Sequence, residues 1–178
     1  MVGAVGARNA VGRLLLERAG FSPEGSATAV FRLNESDHRR VEPGPPELSV
    51  RTGIPDDLED TMRLYRECFP DGAFPESAWL AGLEQGAVYI GESGREARAM
   101  VNIDTPDRWI YHLGVTASER DQGVGAYVLS EALVGYWAKH PGETLGLSVR
   151  ADNLPALRLY RRQGFAPLLV LQAFALPL

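Results

Sequence analysis

Residues 145–165 read LGLSVRADNLPALRLYRRQGF and carry the clearest secondary-structure pattern in the chain. Leu145–Arg150 predicts a buried strand, because a short apolar run of this length is typical of one. Pro155–Gln163 predicts a helix, and Gly164 is a usual residue just after a helix end. Leu168–Leu176 predicts a final strand, so the chain is expected to end in a β-α-β unit.

The region before this unit predicts further strands and helices in mixed order. Strands are expected at Leu48–Arg51, Val88–Glu92, Arg98–Asp104 and Trp109–Val115. Helices are expected from Ile54–Asp57 to about Phe69, over Glu76–Glu84 and over Gly123–His140. Turn residues join the middle strands as hairpins. The pattern therefore predicts an α/β fold with a mixed sheet covered by helices.

Length and composition exclude several classes of protein. The chain has 178 residues, enough for one ordinary domain or one domain with an appendage. A net charge of −5 argues against a sequence-independent nucleic-acid binder, and no apolar run is long enough for a membrane span. Cys68 is the single cysteine, which excludes an intramolecular disulfide and a cysteine-based zinc site. We therefore expect a cytoplasmic domain that binds neither nucleic acid nor membrane.

The clearest break in the chain is residues 34–47, NESDHRRVEPGPPE. This segment is polar, lacks apolar periodicity and is rich in proline at its end, so it predicts a semi-rigid linker. His38 lies within it and is expected at the surface. The predicted domain organisation is a small strand-helix-strand segment over 1–33, the linker, and a main domain over 48–178.

Residues 113–125, LGVTASERDQGVG, predict a strand, a loop with glycines and the start of a helix. Backbone N–H groups at such a turn point outwards together, and the helix N-terminus adds a positive partial charge, which suits a pyrophosphate. The stretch lacks the third glycine of a dinucleotide fingerprint and the Lys-Ser/Thr of a P-loop. Taken alone, a tight turn without a ligand is the simpler interpretation.

A second motif, Asn-x-x-Ala-x-x-Leu-Tyr-x-x-x-Gly-Phe over residues 153–165, follows the strand LGLSVR. Together the two motifs resemble the GNAT acetyltransferase superfamily, whose Arg/Gln-x-x-Gly-x-Gly/Ala turn is matched at Arg120, Gly123 and Gly125. Asp121 departs from the family pattern, which most often has glycine there. The resemblance covers residues 48–178. It implies a central mixed, mostly antiparallel sheet, flanked by helices and split between the strands that hold acetyl-CoA.

The resemblance implies that acetyl-CoA or another acyl-CoA is the donor, that an amine is the acceptor, and that no metal is needed. The groups implied in pyrophosphate binding are the amides of Arg120, Asp121, Gln122, Gly123, Val124 and Gly125. The backbone of Leu113, Gly114 and Val115 would pair with the pantetheine arm, and the Val115 N–H could bind the thioester oxygen. Asn153 would hydrogen-bond the pantetheine or the neighbouring backbone.

Tyr160 is the candidate general acid, because a phenol of pKa about 10 can protonate a leaving thiolate of pKa about 8.5 when held close. The alternative is an aromatic residue on a buried helix face. His112 is the candidate general base, since its ordinary pKa of about 6.5 suits that task. The alternative is a strand histidine with structural hydrogen bonds; Asp104 and Glu119 are further candidates. Trp79 is expected in the core.

Residues 5–23 repeat the pattern of residues 149–167 at a constant offset of 144. Eight positions are identical, whereas Leu16 replaces Tyr160, and residues 27–33 alternate as a strand. The segment resembles the tail of a first GNAT domain, as in tandem-GNAT proteins. Its apolar residues should be covered by the main domain or by a second chain in a homodimer. They are Val5, Val11, Leu14, Leu15, Phe21, Val30 and Phe31.

The function expected from these features is an acyl-CoA-dependent N-acyltransferase that moves acetyl from acetyl-CoA to a small or peptidyl amine by direct attack. The alternative is a non-catalytic acyl-CoA-binding or sensor domain without a working base. Tyr160 favours the enzyme, whereas the uncertain roles of His112 and Asp121 leave the alternative open.

Overall fold

The computed structural model describes residues 2–41 and 44–176. These residues form two compact units. Unit 1 combines Met1–Leu33 with Gly146–Leu178, and unit 2 is the continuous stretch Asn34–Leu145. Within the described ranges, no helix is long and apolar enough to cross a membrane.

The elements follow the order expected from the sequence. The strands are β1 Val2–Gly6, β2 Ser22–Leu33, β3 Leu48–Thr52, β4 Val88–Ser93, β5 Glu96–Asp104, β6 Trp109–Val115, β7 Leu145–Arg150 and β8 Ala166–Ala175. The helices are α1 Ala10–Arg18, α2 Leu58–Cys68, α3 Glu76–Glu84, α4 Val124–Trp137 and α5 Leu154–Arg162. Every predicted element from β3 onwards is confirmed, with ends within about four residues of those expected.

Unit 2 is built on four strands in the order β6-β5-β4-β3, and each neighbouring pair is antiparallel. Helices α2 and α3 contribute Leu64, Tyr65 and Trp79 to a buried apolar cluster with residues of β4 and β5. Helix α4 contacts β3, β4, β5 and β6. Its approach is close at Gly91, where an added Cβ would lie 2.5 Å from Val128 Cγ2. A larger residue there would push α4 from the sheet.

Residues 34–41 lie along α4 rather than apart from it. The N–H of Val41 donates to Ser130 Oγ at 2.9 Å, and the Arg40 guanidinium lies 3.0 Å from Glu131 Oε1. The His38 ring is half-buried 5.3 Å from that of Trp137, and burial lowers its pKa. The surface position expected for His38 is therefore wrong, because the polar segment packs on a helix far away in sequence. The division into domains at residues 33 and 47 stays a prediction.

Unit 1 brings the first and last parts of the chain together, in the strand order β1-β8-β2-β7. Strand β8 pairs antiparallel with β1, where Gly6 lies opposite Leu171, and with β2, where Thr28 lies opposite Leu171. The N–H of Ala151 donates to the Ala27 carbonyl at 2.7 Å. The first 33 residues therefore dock on a strand of the same chain.

The sequence repeat is also a repeat of local structure. Helices α1 and α5 begin and end 144 residues apart, and each has an asparagine at its N-cap. Asn9 accepts a hydrogen bond from the Gly12 N–H at 2.9 Å, and Asn153 accepts one from the Ala156 N–H at 3.2 Å. The two helices thus share their N-cap residue and their length of nine residues.

The apolar residues of the first segment differ in how much of their surface is exposed. Val30 and Phe31 are buried, with 9% and 1% of their surface exposed. Val11, Leu14 and Leu15 of α1 are 70%, 48% and 61% exposed. The expectation that all of these residues are covered is therefore wrong for α1, which buries no residue in the described structure.

Candidate active site

The turn before α4 contains two left-handed residues close together. Asp121 and Gly123 have φ angles of +61° and +83°, whereas Arg120 is extended. Left-handed residues are a component of the backbone turns that bind anions through their N–H groups. Gly123 is the N-cap of α4, with no side chain capping the first turn and no acidic residue in it. No carboxylate of that turn therefore neutralises the positive end of the helix dipole.

Side chains around this turn hold its shape. Arg120 Nε donates to the Val115 carbonyl at 3.1 Å, and Gln122 Nε2 donates to the Ser118 carbonyl at 2.6 Å. The Asp121 side chain is exposed, so its carboxylate can face solvent rather than the amides. A Cβ on Gly123 would meet no atom within 4 Å. The side of Gly123 on which a Cβ would lie is therefore open.

The end of β6 directs alternate backbone groups away from β5. The Thr116 N–H donates to the Arg98 carbonyl at 2.9 Å, and Val115 lies opposite Ala99. In an antiparallel ladder, residues next to a hydrogen-bonded pair turn their N–H and C=O outwards. The N–H groups of Val115 and Leu113 therefore point to the side opposite β5.

The Val115 carbonyl is held by two side chains. Besides Arg120, Cys68 Sγ donates to it at 3.4 Å, and burial raises the pKa of the Cys68 thiol. The neighbouring Gly114 leaves room for this contact, since a Cβ there would lie 3.0 Å from Cys68 Sγ. These contacts fix the backbone just before the turn.

His112 lies within an aromatic cluster, which we define as His112 and the rings of Tyr65, Phe69, Phe74, Trp79 and Tyr111. The ring centroids lie 4.8–6.4 Å from that of His112. Desolvation lowers the pKa of His112 to about 4, and no charged group contributes to the shift. Its Nδ1 is buried without a hydrogen-bond partner among the described residues, as is Trp79 Nε1. His112 is therefore neutral at pH 7.

The two other carboxylates considered for the base have structural partners. Asp104 Oδ1 accepts a hydrogen bond from the Asp107 N–H at 2.9 Å, which closes the turn before β6. The Glu119 carboxylate lies 3.9 Å from the Arg98 guanidinium. Both contacts stabilise loops, as expected for turn charges.

Unit 1 carries the remaining two predicted residues. Tyr160 is 8% exposed, its ring lies 5.6 Å from that of Phe165, and burial raises its pKa to about 12. The phenol is therefore protonated at any working pH. Asn153 Oδ1 accepts from the Ala156 N–H, so the neighbouring backbone is its partner in this structure.

Sequence reasoning missed most of the aromatic cluster. Only His112 and Trp79 were singled out, and the expected core position of Trp79 is confirmed by an exposed fraction of 0%. Tyr65, Phe69 and Phe74 come from α2 and the loop after it. The one signal available was the pair of phenylalanines that flank the Pro-Asp-Gly turn at residues 70–72.

A family model described as "Acetyltransferase (GNAT) family" matches residues 56–165, which include the β6–α4 turn and Tyr160. The chain belongs to the GNAT acetyltransferase family. GNAT membership indicates N-acetyltransferase activity in general, and GNAT proteins use acetyl-CoA. A search of curated proteins gave no match.

Solved structures share this GNAT fold at low sequence identity. A GCN5-related N-acetyltransferase from Sphaerobacter thermophilus is 20% identical with a TM-score of 0.82, over 97% of this chain and 58% of its own. A GCN5-related N-acetyltransferase from Kribbella flavida is 16% identical with a TM-score of 0.70, over 99% and 68%. A tandem GNAT protein from the clavulanic acid biosynthesis pathway is 13% identical with a TM-score of 0.71, over 97% and 62%.

These likenesses confirm the predicted mixed α/β GNAT fold. The described residues contain eight strands, mostly antiparallel, and five helices. The chain spans 58% of the length of the Sphaerobacter thermophilus GNAT protein, so much of that relative has no counterpart here.

Proposed function

We propose that this protein is an acyl-CoA-dependent N-acyltransferase that moves acetyl from acetyl-CoA to an amine by direct attack. The observation that carries the proposal is the turn over residues 120–125, where Asp121 and Gly123 have positive φ angles and where a Cβ on Gly123, the N-cap of α4, would meet no atom within 4 Å. A pyrophosphate accepts several N–H donors at once and is favoured by the positive end of a helix. The turn is therefore suited to the diphosphate of CoA.

The strand before the turn supplies the second part of the proposal. The outward N–H of Val115 is a donor for the thioester oxygen, which gains negative charge as the amine attacks. In this step the amine nitrogen forms a bond to the carbonyl carbon and the carbon–sulfur bond breaks. The amine loses one proton, and the CoA thiolate gains one.

Tyr160 stays the predicted donor of the proton to the thiolate. Its pKa of about 12 keeps the phenol protonated, although a higher pKa makes it a weaker acid than an exposed tyrosine. The assignment of this acid role to Tyr160 rests on the motif over residues 153–165, which matches the family at each named position.

His112 stays a prediction as the base, and its chemistry counts against that role. A group with a pKa of about 4 takes a proton from an ammonium ion poorly. We propose that the acceptor reaches the site as the neutral amine, its proton having passed to solvent. His112 then helps to hold the acceptor.

The cofactor assignment is tested by Gly123→Val. This change puts a branched side chain where the ligand would lie, so we expect the Kd for CoA to rise at least tenfold. Gly94→Val is the matched control, because Gly94 also has a positive φ (+63°) and open space around its Cβ. Calorimetry that finds equal CoA affinity in the two variants would show that the turn does not bind CoA.

The alternative is a non-catalytic acyl-CoA-binding or sensor protein. The observation that favours it is the low pKa of His112, which makes that residue a weak base. To distinguish the two functions, CoA binding and acetyl-CoA turnover over a panel of amines are measured on one preparation. Tight binding without thiol release would support the sensor.

We also propose that residues 1–33 are the remnant of a second GNAT domain. The equal helices and caps of the two β-α-β segments support this origin. Leu16 stands where the other segment has Tyr160, so the remnant cannot supply the acid. Its role is to flank β8.

A further inference from the structure

The aromatic cluster around His112 has the composition of a binding site for a flat apolar group. Trp79 and Tyr65 form its buried floor, with 0% and 4% of their surface exposed. Phe69, Phe74 and His112 are half-buried, and Tyr111 is 47% exposed. One side of the cluster therefore presents aromatic surface to solvent.

This surface is held in place by the loop between α2 and α3. The Phe74 N–H donates to Tyr65 Oη at 3.0 Å, and the Gly72 N–H donates to the Phe69 carbonyl at 2.9 Å. A Cβ on Gly72 would collide with the Tyr65 hydroxyl, so glycine is needed for this close approach. The loop and α2 thus form one preorganised wall.

The cluster carries no charged group of its own. Burial lowers the pKa of His112, and its ring contacts are with aromatic side chains. The nearest carboxylate contact is at the rim, where the Tyr111 hydroxyl donates to Asp107 Oδ2 at 2.6 Å. A polycation would find no set of carboxylates inside the cluster. Aromatic rings instead bind other rings edge-to-face or offset.

Two polar atoms of the cluster are unsatisfied. His112 Nδ1 and Trp79 Nε1 are both buried without a hydrogen-bond partner in the described part of the chain. Buried polar atoms without partners are rare in native proteins, and each needs an explanation. Two in one cluster lower its stability, and such local costs are typical of functional sites.

The cluster is also close to the reacting groups in our proposal. His112 precedes Val115 by three residues on β6, a distance of about 10 Å along a strand. A ring seated against the cluster and an amine at the thioester would therefore be joined by a short linker of a few atoms.

We propose that the aromatic cluster is the acceptor subsite, and that the acceptor is a small amine bearing an aromatic ring on a short linker. This inference rests on the proposed transferase function. Polyamines and aminoglycosides, which carry no aromatic ring, are then expected to be poorer acceptors.

The test compares acetyl-CoA-dependent thiol release with 2-phenylethylamine, spermidine and kanamycin on the full chain. We expect kcat/KM for 2-phenylethylamine to be at least tenfold higher than for either polycation. Equal or better turnover of a polycation would overturn the acceptor class and leave the transferase function standing.

A second measurement does not depend on turnover. 2-Phenylethanol has the ring and linker but no amine, so it should bind without reacting. We expect it to shift the NMR signals of the His112 ring and the Trp79 indole N–H. No shift at millimolar ligand would overturn the subsite, whereas shifts without any amine turnover would support the subsite and contradict the transferase.

Phe74→Ala is the matching variant, because it removes one ring of the wall and keeps the backbone N–H that binds Tyr65. We expect KM for 2-phenylethylamine to rise at least tenfold, with unchanged affinity for CoA. Ile54→Ala is the control, since Ile54 is 53% exposed and outside the cluster. If Phe74→Ala unfolds, Phe74→Leu retains apolar volume and should still raise KM; an unchanged KM in the folded variant would contradict the proposal.

Discussion

His112→Phe should make the protein less sensitive to acid. The ordinary histidine pKa is 6.5, and that of His112 in the folded chain is about 4. Between these values the unfolded chain binds a proton that the folded chain does not, so the free energy of unfolding falls as the pH drops from about 6.5 to about 4. For a fully desolvated ring, the free energy of unfolding would fall by roughly 3 kcal/mol over this interval, at about 1.4 kcal/mol per pH unit. Because the ring is half-buried, we expect about 1–2 kcal/mol.

The assay is urea unfolding, followed by tryptophan fluorescence, at pH 7.5, 6.0, 5.0 and 4.0. Carboxylates and His38 contribute to the pH dependence of both proteins and cancel in the difference between them. Phenylalanine keeps the ring contacts and removes the unpartnered Nδ1, so the variant should equal or exceed the wild type in stability at pH 5.0. His140→Gln serves as a control at a ring outside the cluster. If the wild type and His112→Phe lose stability in parallel as the pH falls, His112 is not the desolvated group described here.

Tyr160→Phe should lower kcat about 100-fold and leave acetyl-CoA affinity nearly unchanged, because only the proton donor is lost; a kcat within twofold of wild type would contradict the acid role. Gly91→Ala should lower the free energy of unfolding by about 1–3 kcal/mol, because its Cβ would lie 2.5 Å from a Val128 methyl. Chemical denaturation measures this change, and Gly82→Ala is the control, since a Cβ there would have its nearest neighbour beyond the helix backbone at 3.4 Å. Deleting residues 1–33 should lower Tm and cause aggregation, because β8 loses both strands that pair with it. A truncated chain that stays monomeric by light scattering and keeps its Tm would contradict the stabilising role of these residues.

The parts of the fold that could be predicted from the sequence are those with local causes. Gly123 with its positive φ marks the start of α4, and Asn153 caps α5, so both boundaries are encoded within a few residues. The motifs that contain these residues also indicated the GNAT family. The repeat at an offset of 144 residues likewise predicts a helix in the first segment, and α1 confirms it.

The missed features depend on residues that meet only in the folded chain. His112 was expected to have an ordinary pKa, but four of the rings around it come from α2, α3 and the loop between them. His38 reaches Trp137 across almost a hundred residues. Periodicity describes one element at a time, so it carries no information on such contacts.

The position of β8 between β1 and β2 has a consequence for synthesis of the protein. Unit 2 is continuous in sequence, so all of its contacts can form while the C-terminal strand is still being made. Unit 1 cannot, because β1 and β2 must wait for a strand that begins at Ala166. Until then, two strands with unpaired edges are exposed to other nascent chains. A strand that is made late therefore protects two strands that are made early from aggregation.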